Sequence, residues 1–65
     1  MASANEAIMM AGRFSDRRIV QAVRTLLDWG DDPNDIIAVM SSADDVLDAL
    51  LYAIQNGGIS SLFED

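Results

Sequence analysis

The chain of 65 residues contains no cysteine, no histidine and no lysine. Without cysteine there is no disulfide and no thiolate metal site. Without histidine the commonest general base and the commonest metal ligand are missing. Nucleophile arrangements that need a Cys–His, Ser–His or lysine partner are therefore excluded, and no enzyme activity is expected. Proline occurs once and aromatic residues make up only 6%. No apolar stretch is long enough to span a bilayer. The longest uncharged run, residues 49–63, is interrupted by Gln55, Asn56, Gly57 and Gly58. Residues 1–11 lack the cationic start and the long apolar run of a signal peptide, so a cytoplasmic location is expected.

What is present is apolar and acidic. Half of the residues (51%) are hydrophobic, too many for disorder by composition. One small domain is expected over residues 1–65. Eleven acids against four bases give a net charge of -7, which excludes an ordinary nucleic-acid binder. The bases, Arg13, Arg17, Arg18 and Arg24, all lie in residues 1–27, which with Glu6 and Asp16 carry +2. Residues 28–65 hold nine acids and no base. Such a tract cannot neutralise itself through local pairs and projects a field of one sign.

Capping patterns and 3.6-residue periodicity predict an all-α, compact bundle of four to five short helices. Breaks are expected near Gly12, Asp31–Asp32, Ser41–Ser42 and Gly57–Gly58. Ser3 and Glu6 form a capping box for a first helix ending near Ala11. Ser15 is the expected N-cap of a second helix running to about Trp29, with Gly30 just past its end and an Arg24–Asp28 pair on its surface. Asp32 caps a third helix, with Pro33 at its first position and Asp35 completing the box. Ser42 is read as the cap of a fourth, with Asp44, Asp45 and Asp48 on its surface, ending near Asn56. Residues 59–63 form a last turn. Ile19, Val23, Leu26, Leu27, Ile36, Ile37, Met40, Leu47, Leu50, Leu51 and Ile54 are the expected core. The aromatic residues Phe14, Trp29, Tyr52 and Phe63 are read as core anchors, with Tyr52 the one expected to lie partly exposed near Asp48.

The density of acids at Asp28, Asp31, Asp32 and Asp35 suggests a calcium loop, but Pro33 stands where an EF-hand needs glycine. No metal or cofactor is expected. The candidate site is instead the acidic tract itself, Asp31, Asp32, Asp35, Asp44, Asp45 and Asp48. Carboxylates one helical turn apart form a sparse imitation of the charge line of duplex DNA. They fit a protein partner whose own basic surface holds nucleic acid. Plain solvation and a high-salt environment account for acidity as well.

As a profile over its full length, the chain resembles the small acidic, all-helical anti-CRISPR proteins of phages and mobile elements, in particular inhibitors of type I surveillance complexes. That resemblance implies a stoichiometric inhibitor, acting as a DNA mimic on a DNA-binding surface of a Cas subunit in the host cytoplasm. It carries no residue-level motif. From the charge balance no direct nucleic-acid binding is expected, and from the short apolar runs no membrane association; a monomer is expected over a homodimer. The alternative is a helical protein-interaction module or adaptor that inhibits a non-CRISPR host protein.

Overall fold

The computed structural model describes residues 2–63. Four α-helices follow one another: α1 Ala4–Gly12, α2 Arg17–Asp28, α3 Pro33–Ser42 and α4 Val46–Gln55. A 3₁₀ turn, Ile59–Phe63, closes the order. The described residues contain no strand, so the architecture is the all-α bundle that the caps predict.

Each helix start is fixed by one side-chain oxygen. Ser3 Oγ accepts the Glu6 N–H at 3.2 Å and opens α1. Asp32 opens α3 with Pro33 at the first position, and its carboxylate accepts the N–H of Asn34 at 2.9 Å rather than that of Asp35. Two starts differ from the sequence expectation. Asp16, not Ser15, caps α2, accepting the Arg18 N–H at 2.9 Å. The carboxylate is the better acceptor for the helix N-terminus, and Ser15 turns the chain with φ 57°, in the left-handed region. Asp45, not Ser42, caps α4, accepting the Asp48 N–H at 3.0 Å. Ser42 is used up as the last residue of α3, its hydroxyl donating back to the Ala38 carbonyl at 2.7 Å. α2 ends as expected: Gly30 takes φ 89°, its N–H reaches the Leu27 carbonyl, and the Asp31 N–H reaches that of Leu26.

Two contacts orient the helices. The Ala2 N–H donates to Asn34 Oδ1 at 3.0 Å, which sets the start of α1 beside the start of α3. α2 and α4 run side by side in the same direction. Asp45, at the start of α4, lies near enough to Arg18 to favour its charged form, while Asp31, just past α2, accepts the Ile59 N–H just past α4 at 3.3 Å.

The core is built from small and branched aliphatic side chains. α1 gives Ala7 and Ala11, α2 gives Ile19, Ala22, Val23 and Leu26, and α3 gives Ile36, Val39 and Met40. α4 gives Val46, Leu50 and Ala53, and the last turn gives Ile59. Because the buried side of α1 is alanine, its backbone can approach α2 and α3 closely. Leu27, Ile37, Leu47 and Ile54 pack on this core half-buried. Leu51, expected inside, is 43% exposed. Three expected aromatic anchors are also outside, Phe14 37%, Trp29 51% and Phe63 55% exposed, while Tyr52 is 51% exposed, in line with its expected place at the surface near Asp48. Phe14, Trp29 and Phe63 lie at helix ends or in links, where the chain turns away from the core, and Tyr52 lies on the outer side of α4.

Candidate interaction surface

The six aspartates divide into two groups separated by α3. Asp31, Asp32 and Asp35 gather at its start, and Asp44, Asp45 and Asp48 follow its end. α3 has 10 residues, about 15 Å at 1.5 Å per residue. The molecule measures 29 × 23 × 19 Å, so this separation is a large part of its span. The second group does not share one helical side, because Asp44 and Asp45 precede α4 and only Asp48 lies within it.

Three of the six carboxylates already serve the fold. Asp32 and Asp45 are N-caps. Asp31 is half-buried, holds the Ile59 N–H, and lies against Gly58, where an added Cβ would stand 3.1 Å from its Oδ1. Asp35 is half-buried in the first turn of α3. Asp44 and Asp48 are exposed, and Asp48 uses only its backbone N–H. Asp44 and Asp48 are therefore the acids most free to meet a partner.

The only ion pair among the described residues joins Arg18 to Asp16 at 3.0 Å. Its side-chain hydrogen bond lowers the pKa of Asp16, helped by the Arg18 backbone N–H, and raises that of Arg18. Arg24 and Asp28 do not close to an ion pair despite their spacing. Arg17, Gln21 and Arg24 line the exposed side of α2.

Among the described residues no polar or charged residue is buried, and no group of three acids or other ligands is placed to hold a metal ion. No helix of the described residues is long and apolar enough to cross a membrane. The outer face of α4 carries exposed apolar side chains. Asp48, Leu51, Tyr52 and Gln55 are all exposed there, at the helical spacing that puts them on one side. Sequence reasoning assigned Leu51 to the core, yet a signal was available. α4 has only Asp48 and Gln55 as polar residues, so a helix at the surface of so small a bundle must show apolar side chains to water.

Comparison with protein-family models, curated proteins and solved structures finds no match to this chain.

Proposed function

We propose that this chain is a non-enzymatic protein-binding domain that docks on a basic surface of its partner. One observation carries the reading: all four aromatic residues and Leu51 lie exposed, although the core accepts thirteen smaller or aliphatic residues. Exposed aromatic side chains have large, rigid contact areas and are the residues that dominate protein interfaces. Leaving them in water costs a domain this small part of its hydrophobic stabilisation. The absence of any base after Arg24 sets the sign of the partner.

The test is capture from extract of the source cell after nuclease digestion. Wild-type chain should retain a partner that Asp44→Lys with Asp48→Lys loses, while the folded state, followed by circular dichroism, is kept. A captured protein indifferent to both reversals would refute the charge argument.

The tract of nine acids favours a narrower form of the same reading. The partner's basic surface is then one that holds DNA, as in a type I CRISPR–Cas surveillance complex, and the chain blocks it as an acidic mimic. The chain should then reduce target-DNA binding by such a complex. If DNA binding persists while cleavage stops, mimicry is wrong and inhibition stands. If neither changes, the CRISPR assignment falls and the protein-binding module remains.

A further inference from the structure

α4 is a helix of 10 residues, about 15 Å or nearly three turns long. Its inner side, Val46, Leu50 and Ala53, is buried against the bundle. Its outer side carries Leu51 and Tyr52 on either flank of Asp48 and Gln55, with half-buried Leu47 and Ile54 bordering Leu51. The approach to that face is acidic at one end only, from Asp44, Asp45 and Asp48, and the helix carries no base. Arg18, the one cation placed near Asp45, is already hydrogen-bonded to Asp16.

We propose that this strip is the docking site for a basic amphipathic helix of a partner protein. Its apolar residues lie over Leu51 and Tyr52, and its Lys or Arg residues turn towards Asp44 and Asp48. The inference rests on the protein-binding reading above and narrows it from a surface to a segment.

Three arguments favour this occupant. A helix offers apolar and charged groups alternately at steps of three and four residues, the same steps at which the strip displays its own, so ridges can enter grooves. A flat surface made only of Lys and Arg would desolvate its charges against Leu51 and Tyr52 without return. A second copy of this chain docked through the same face would bring together two molecules that each carry a net charge of -7 and would offer no base to Asp44 or Asp48, because α4 holds none.

The experiment uses the full chain, with amide resonances as the readout, and three probe peptides of about fourteen residues, four helical turns each. One is a Lys/Leu amphipathic helix, one has the same composition in an order without helical period, and one is a Glu/Leu amphipathic helix. The Lys/Leu helix should bind at low salt and shift Leu47, Asp48, Leu51, Tyr52 and Gln55. The shuffled peptide should bind about tenfold more weakly, and the Glu/Leu helix not at all. Leu51→Glu should weaken the Lys/Leu helix by about tenfold or more, whereas Ser41→Glu, on the exposed side of α3, should leave it unchanged.

Equal binding of the shuffled peptide would overturn the proposal, because charge alone would then suffice. So would absence of binding, or shifts centred elsewhere. Broadening that grows with the concentration of the chain alone and vanishes in Leu51→Glu would give the face to a second copy. Failure of the wider reading looks different. If the partner from extract is lost on reversal of Asp44 and Asp48 but retained by Leu51→Glu, the domain binds a basic partner and α4 is not where a helix docks.

Discussion

Leu50 and Leu51 are neighbours in sequence and opposites in the fold. Leu50 is fully buried between the helices and Leu51 is 43% exposed on the outer side of α4. Truncating Leu50 to alanine removes three heavy atoms from a close-packed site and leaves a cavity, a loss of about 2–5 kcal/mol. A domain of 65 residues has a total stability of about 3–10 kcal/mol at the usual ~0.05–0.15 kcal/mol per residue. Leu50→Ala therefore consumes a large fraction of it, and Tm should fall on the order of 10–40 °C at about 4–8 °C per kcal/mol. The same truncation at Leu51 loses contacts on one side only and leaves no cavity, so its cost should stay below about 1 kcal/mol. Thermal and urea unfolding of the two variants, followed by helical circular dichroism, decides the matter. Equal shifts in the two would refute the placement of α4, and with it the assignment of Leu51 to a binding face.

Two glycines should respond to alanine with opposite signs. Gly12 is helical with open space around its Cα, so Gly12→Ala should stabilise by up to about 1 kcal/mol. Gly58, with φ 147° and the Asp31 carboxylate 3.1 Å from an added Cβ, should lose about 1–3 kcal/mol; urea midpoints of the two variants measure both. The acid limb of stability should depend on Arg18. Its hydrogen bonds depress the pKa of Asp16 in the folded state below the ordinary 3.8, so the stabilisation is complete above that pH and is lost as pH falls through the folded value. Arg18→Met should flatten the stability-against-pH curve at its acid end, and an unchanged slope would show that the pair contributes nothing.

The fold was legible because capping and periodicity are local signals that no distant contact reverses here. Asp32–Pro33 marked the start of α3, Gly30 the end of α2, and the stripe Ile19, Val23, Leu26 the buried side of α2. What could not be read was competition between neighbouring candidates for one role. Ser15 and Asp16 both suit an N-cap, as do Ser42 and Asp45, and the outcome depends on where the preceding segment ends. That displacement matters for the site. With α4 starting at Val46, Asp44 and Asp45 leave the helix, and Asp45 becomes a structural cap. A charge reversal at Asp45 therefore removes a capping bond as well as a surface charge, whereas Asp44 gives up no such bond and Asp48, in the first turn of α4, adds only a helix-dipole cost of about 0.3–1 kcal/mol. Phe14, Trp29 and Phe63 misled for a different reason. Size argues for burial in most domains, but these three lie at helix ends or in links, while the positions facing the core are filled by aliphatic side chains and by alanine at Ala7, Ala11, Ala22 and Ala53.

The acidity and the exposed apolar residues account for one another. Among the described residues this small bundle displays six large apolar side chains: Met9, Phe14, Trp29, Leu51, Tyr52 and Phe63. Unprotected, such surface promotes association between copies. A net charge of -7, with Asp44, Asp45 and Asp48 at the approach to Leu51 and Tyr52, opposes that encounter while leaving the face open to a cationic partner. Under the proposed function, the same charges would act against a second copy and for a cationic partner, the two-sided arrangement by which a surface discriminates. It follows that Asp44→Asn with Asp48→Asn, which removes charge without reversing it, should weaken partner binding and also raise self-association. Sedimentation at increasing concentration reads the second effect. A double variant that stays as monomeric as wild type at low salt would show that the acids do not guard the α4 face.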